Sequence, residues 1–290
     1  MNETIIQFVI GNASTIPLEI TQSTRTNWTQ FALTMAVSAL AFIWILGNSI
    51  GSSITFGISK IRIKLFKRIN KIKHLMIIKH TKSGLFEMSM IDQTTMKDIQ
   101  EALMKFKGED FDLILYTGGG EIFSSEYISR LFRHYKGKIR TFVPVYSMSG
   151  GTYLALSTNE LYMNDYACLG GIDPQLGNLF SYGSAKGWKE VLRLKKGKAN
   201  DQSIIMNLMG KQYTKTMKKN INELLIKKLP DKNQRNEFVD YLTSGEIQHA
   251  LPLTKSTLRS FGLKIGDIDE KTNIKLLKLI KNIGDGVIYG

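Results

Sequence analysis

Hydrophobic and polar positions divide the chain into three stretches. Residues 26–59 carry no charged side chain, and their apolar centre runs from Phe31 to Leu46, extendable to Ile50. That length approaches the roughly 20 residues needed to cross a bilayer, so the pattern predicts a transmembrane helix over 29–50. Residues 59–73 place Ile61, Leu65, Phe66, Ile69 and Ile72 at helical spacing with basic residues between them, the pattern of an amphipathic helix lying on a membrane surface. From His74 the pattern changes to short apolar runs separated by helical periods. Strands are predicted over 74–80, 111–116, 139–146 and 160–164, with helices over 94–106 and 124–135, the second capped by Ser124 or Ser125. Beyond Gly187 helices are predicted over 186–196, 201–227, 231–242 and 254–261. Alternating strand and helix predicts an α/β domain with a parallel sheet and crossover helices.

Charge sets an orientation. The net charge is +14, from 39 Lys+Arg against 25 Asp+Glu. A dense basic block (Lys60, Arg62, Lys64, Lys67, Arg68, Lys71, Lys73) directly follows the apolar run, whereas Arg25 alone precedes it. Lys/Arg asymmetry predicts the C-terminal side in the cytoplasm and residues 1–28 outside, single-pass. The block then faces anionic lipid, worth roughly 1 kcal/mol per cation near the surface; nucleic acid is the weaker reading. Sequon-type asparagines at Asn2, Asn12 and Asn27 agree with an exterior tail. The single cysteine, Cys168, allows no internal disulfide, has no metal-ligand spacing around it, and reads as a small buried side chain. No metal or other cofactor is expected.

The candidate chemistry lies in two glycine turns, Gly118-Gly119-Gly120 after one strand and Gly150-Gly151 after the next. In a parallel sheet both fall at the carboxyl edge, where such folds place their sites. Their N–H groups can converge on one oxygen, as an oxyanion hole requires. Ser149 stands where strand gives way to helix. A serine there is often only an N-cap; as a nucleophile it needs a base. None of His74, His80, His134 and His249 can be placed beside it by spacing. Lysine is the other candidate, provided that it is desolvated. Among Lys186, Lys189, Lys195 and Lys196, Lys189 stands out because Trp188, Val191 and Leu192 flank it. TGGGE lacks the Lys-Ser/Thr pair of a P-loop and the G-x-G-x-x-G fingerprint, so no nucleotide is expected.

The order Y-T-G-G-G, S-M-S-G-G, N-E-L-Y-M and L-G-G-I-D-P-Q, followed by SGEIQHALPLTKSTLRSFGL, resembles the serine dehydrogenase proteinase family. These are ClpP-class membrane-bound proteases related to signal peptide peptidase A. The resemblance implies a ClpP/crotonase-like fold of stacked ββα units preceded by the transmembrane helix. The match covers roughly residues 74–270; with the hydropathy and charge pattern it divides the chain into an outer tail (1–28), the span (29–50), a basic amphipathic linker (51–73), a protease domain (74–270) and a C-terminal helix and tail (271–290). It carries the nucleophile to Ser149 and the oxyanion donors to the N–H groups of Gly119 and Gly150. The base falls on Lys189, with Lys186 and then Lys211 as alternatives, and Asp173 shapes the turn behind the serine rather than taking part in proton transfer. It further implies cleavage of membrane proteins or signal-peptide-like peptides by a homo-oligomer, ATP-independent because no nucleotide motif is present; Met206, Leu208, Met209 and Leu224 are candidate contacts, equally well explained as core. The family's proline in the first turn is Gly118 here, and its histidine before the threonine is Tyr116. Two rivals stand beside this reading: a catalytically weak or inactive membrane scaffold of the same fold, and a crotonase-type acyl-CoA enzyme, which needs neither the serine nor a lysine.

Overall fold

The structure is a computed structural model that describes residues 28–81, 89–178, 181–246 and 249–290. The outer tail with Asn2, Asn12, Arg25 and Asn27 lies outside the described residues, as do the side chains of 28–32 and 40–52. The first helix, α1 (Trp28–Asn70), is unbroken, so the predicted span and amphipathic linker are one helix. Chain contacts separate a unit ending at Ser53 from a unit comprising Ile54–Gly290. Among the described residues no helix is long and apolar enough to cross a membrane.

In the second unit, β1 (Leu75–His80), β2 (Phe111–Thr117), β3 (Ile139–Val143) and β5 (Glu160–Met163) form a parallel sheet, extended by β10 (Ile265–Asp267). These strands read as near-continuous apolar runs because both of their faces are covered. Along β1, Met76 and Ile78 enter one core while Leu75 and Ile77 enter a second on the opposite face, the period-two alternation of the pleat. The first core is closed by α2 (Gln93–Phe106), α3 (Ile122–His134), α4 (Gly150–Ser157) and the helices α6 (Asp201–Leu225) and α7 (Lys232–Thr243). The second is closed by Ile63 of α1 and by Leu276, Leu279 and Ile280 of α9 (Glu270–Lys281). Ser59 of α1 accepts a hydrogen bond from Gly284 N at 3.0 Å.

The docked face of α1 therefore carries Ser59 and Ile63, both fully buried. Ile54, Ile58, Ile61, Leu65 and Ile69 form an exposed stripe at helical spacing, with Ile61 and Ile69 about two-thirds exposed. Helix α3 also begins earlier than predicted. Its cap is Glu121, without a side-chain cap bond, and Ser124 and Ser125 are buried within the helix rather than capping it. Several short strands escaped the sequence reading, among them the hairpin β7 (Gln175–Asn178) and β8 (Ser181–Ser184), β9 (Leu253–Thr254), β10, and β11 (Gly286–Tyr289), which pairs antiparallel with β1. Cys168 is half-buried, on the short strand β6 (Cys168–Leu169).

Candidate active site

Two strand ends meet at the carboxyl edge of the sheet. β2 ends at Thr117, which pairs with Ser147 of β4 (Tyr146–Ser147), and Met148 N donates to Thr117 O at 2.9 Å. This pairing sets the glycine turn after β2 against Ser149. A Cβ on Gly119 would stand 2.7 Å from Ser149 Cβ and 3.0 Å from Gly150 N. Gly119 has φ +108°, a conformation that glycine alone adopts without strain.

Ser149 has φ +50° and ψ −119° at the start of α4 and makes no side-chain cap bond. A plain N-cap serine has extended backbone and accepts from the helix N–H groups; Ser149 does neither. It sits on a strained strand-to-helix turn, with the positive end of α4 behind it. Among the described residues, no acceptor is hydrogen-bonded to the N–H of Gly150 or of Gly120. The Gly119 N–H, by contrast, donates to Thr117 Oγ1 at 3.1 Å.

Ser149, Gly119 and Gly150 line one cavity of about 1050 Å³. Its wall includes Leu176 and Tyr182 of the β7–β8 hairpin, and Met209, Tyr213 and Met217 of α6. Burial pushes the Tyr153 phenol in the wall up to about 12, so it stays protonated. Ser125, also in the wall, is 2% exposed; among the described residues its hydroxyl has no partner, and it lies against the position a Gly150 Cβ would take.

The lysines lie elsewhere. Lys189 is exposed and does not line the cavity. Its neighbour Trp188 is buried in α5 (Ala185–Lys195), with its indole N–H on Leu176 O at 2.9 Å. Successive helical residues point about 100° apart, so burying Trp188 turns Lys189 outward instead of desolvating it. Lys186 pairs with Glu246 at 2.5 Å, and Lys211 is exposed on α6; neither lines the cavity. Two cavity residues were not given catalytic roles by sequence reasoning: Asp173, 4% exposed, and His249, whose Nδ1 lies 2.6 Å from Asp173 Oδ1. The one signal for His249 was its place in the closing segment SGEIQHALP.

The family model for ClpP-like SDH-type serine proteinases matches residues 40–283. The chain belongs to that family. Two relatives of this chain come from Methanocaldococcus jannaschii. Uncharacterized protein MJ1495 is 33% identical over 64% of this chain and 63% of its own length. Uncharacterized protein MJ0137 is 29% identical over 77% of this chain and 78% of its own length. The chain thus spans just under two thirds of the first relative. Among solved structures, an alanine mutant of the 1510-N membrane-bound stomatin-specific protease is 18% identical, covering 67% of this chain and 84% of that one, at a TM-score of 0.44. ClpP1 from Listeria monocytogenes is 12% identical, covering 72% and 99%, at a TM-score of 0.43.

Proposed function

We propose that this proteinase is a membrane-anchored, ATP-independent serine endopeptidase with Ser149 as its nucleophile. The observation that carries the reading is Ser149 at φ +50° on the turn into α4, beside an unengaged Gly150 N–H and facing a cavity large enough for several peptide side chains. The hydroxyl attacks the scissile carbonyl, and the Gly150 N–H receives the developing oxyanion together with a donor from the Gly118–Gly120 turn. One such donor is worth about 3 kcal/mol in acyl-transfer enzymes. Gly119 serves as that donor once its N–H exchanges Thr117 Oγ1 for the substrate oxygen. A Ser149–Lys189 dyad requires the lysine to be brought to the cavity by rearrangement or by a second copy of the chain.

The apolar run Phe31–Leu46 supplies the anchor. The exposed stripe of Ile54, Ile58, Ile61, Leu65 and Ile69, interleaved with Lys60, Lys64, Lys67 and Arg68, supports contact with an anionic membrane surface. Apolar cavity-wall residues favour membrane-derived or signal-peptide-like segments as substrate. Exposed Ile204, Ile205 and Leu208 on α6 supply a face for homo-oligomer contacts. The hydrogen bond of Gly119 N–H to Thr117 favours the second reading, a weakly active or inactive scaffold. Cleavage of a quenched apolar peptide by the detergent-purified chain separates the two: turnover lost in Ser149→Ala, with unchanged circular dichroism, supports the peptidase, and equal turnover in both overturns it.

A further inference from the structure

The cavity beside Ser149 has a charge opposite to that of the chain. Among the described residues its wall carries the carboxylates of Glu121, Glu126 and Asp173 and no Lys or Arg, although the chain has 39 Lys+Arg against 25 Asp+Glu. Two of these carboxylates are already answered. Glu126 accepts from Arg130 Nη2 at 2.6 Å, while Asp173 faces His249 and accepts from Gln175. Glu121 is exposed, and among the described residues it has no cationic partner. We propose that Glu121 selects a Lys or Arg side chain of the substrate, so that the preferred substrate is an apolar peptide with a cationic residue flanking the scissile bond; this rests on the reading of Ser149 as nucleophile.

The position of Glu121 is tied to the reacting centre. It directly follows the glycine turn, in which a Cβ on Gly119 would stand 2.7 Å from Ser149 Cβ. Ile91 holds the turn from the other side: its N–H donates to Gly119 O at 2.9 Å, and its carbonyl accepts from Glu121 N–H at 2.8 Å. Two residues span at most about 7 Å. The carboxylate is therefore within reach of a side chain next to a carbonyl held between Gly119 and Gly150.

Its conformation is that of a ligand-facing group rather than a cap. Glu121 is the N-cap residue of α3, with extended backbone, yet its side chain makes no cap bond. A capping side chain turns back onto the first N–H groups of its helix. Here Oε2 accepts from Ser124 Oγ at 2.8 Å instead, which orients the carboxylate, and among the described residues Oε1 has no partner.

The surroundings fit a cation on an aliphatic stem. Phe123, 65% exposed, and Tyr182, 72% exposed, line the same cavity, as do Met209 and Met217. Aromatic faces attract ammonium and guanidinium groups. Lys and Arg lay their methylene stems along apolar surface while the charged head reaches a polar partner. The apolar wall by itself would accept any apolar residue; the unanswered carboxylate adds attraction for a cation and repulsion of an acidic side chain, the two halves of specificity. Apolar residues bordered by Lys or Arg are the sequence of one end of a membrane-spanning segment, where these cations collect.

The test uses the full chain in detergent and three quenched apolar peptides that differ only in a central Lys, Gln or Glu. In the wild type kcat/KM should fall in that order, with Lys about tenfold above Glu. Mass spectrometry of the products should place the lysine within two residues of the cleaved bond. High salt should shrink the preference, because screening weakens exposed charge pairs; that readout needs no variant. Glu121→Gln should bring the Lys-to-Glu ratio near one, and Glu121→Lys should invert it. Equal kcat/KM for the three peptides in the wild type, or a Lys preference kept in Glu121→Lys, overturns the assignment.

A binding arm separates this inference from the peptidase reading. Dye-labelled forms of the same peptides are titrated into Ser149→Ala and followed by fluorescence anisotropy. No cleavage by the wild type, together with a Lys preference in binding that Glu121→Lys inverts in the Ser149→Ala background, overturns the peptidase reading and supports the cation subsite. Cleavage without any difference between the peptides in rate or binding overturns the subsite and leaves the peptidase. Neither cleavage nor binding overturns both.

Discussion

A Cβ on Gly119 would stand 2.7 Å from the Cβ of Ser149 and 2.8 Å from Met148 O, whereas one on Gly118 would meet nothing within 4 Å. Neighbouring glycines in one turn therefore have opposite tolerances. Gly119→Ala adds a clash to a φ of +108°, a strain of about 1–3 kcal/mol, and moves the turn away from the serine. Peptide turnover should fall by about 100-fold or more, while Gly118→Ala should stay within a few-fold of wild type. Steady-state assays on the two variants check this; equal losses would show that the turn is not held by the serine.

The backbone of Ser149 stores strain that a smaller residue would release. At φ +50° and ψ −119°, a non-glycine residue costs about 1–3 kcal/mol. Ser149→Gly should raise the urea midpoint and abolish turnover. Ser149→Ala keeps its Cβ and hence the strain, and should abolish turnover without that gain. Equilibrium unfolding of the two variants at equal slope isolates the effect.

His80 ties stability to pH. Burial lowers its pKa, and Asp285 and Asp92 only partly oppose this. Folding thus favours the neutral imidazole, whereas the unfolded chain takes up the proton near pH 6.5. Below that pH the unfolded state binds more protons, so stability is complete above about pH 6.5 and falls as the pH drops. Urea unfolding between pH 8 and 5 should show this loss, and His80→Gln should flatten it. An unchanged slope in the variant would assign the acid sensitivity elsewhere.

Trp188 fastens α5 to the hairpin that walls the cavity, through its 2.9 Å bond to Leu176 O. Trp188→Ala leaves a void in place of a buried ring, a change worth about 3–5 kcal/mol in well-packed cores. Leu176 and Tyr182 of the hairpin line the cavity, so KM should rise more than kcat falls. A drop in kcat at constant KM would mean that the hairpin shapes the reacting centre rather than substrate binding.

Much of the fold was legible in the sequence because the deciding interactions are local. Apolar runs at β1, β2 and β3 and the helical periods of α2 and α6 record which faces are buried, and that burial pattern is what periodicity reports. Ser149 and the two glycine turns were legible for the same reason: each lies at a strand end, where backbone conformation depends on the residues themselves. The elements that were missed depend on distant partners. β11 is a strand because Met76 to Lys79 offer it an edge. Ser59 and Ile63, rather than Ile61 and Leu65, face the domain because Gly284 and the α9 core lie on that side of α1.

Lys189 and His249 show where sequence reading ends. Lys189 looked desolvated because apolar residues flank it, but helical rotation sends neighbours in sequence to different faces. His249 looked remote because it lies far along the chain from Ser149 and Asp173, and only the packing around Gly170 and Gly171 brings these segments together. By itself the sequence determined the strand ends, the serine and the glycines, since local backbone chemistry specifies them. Tertiary structure decided which side chains entered the cavity, since that depends on how separate segments pack and on the direction in which each residue points.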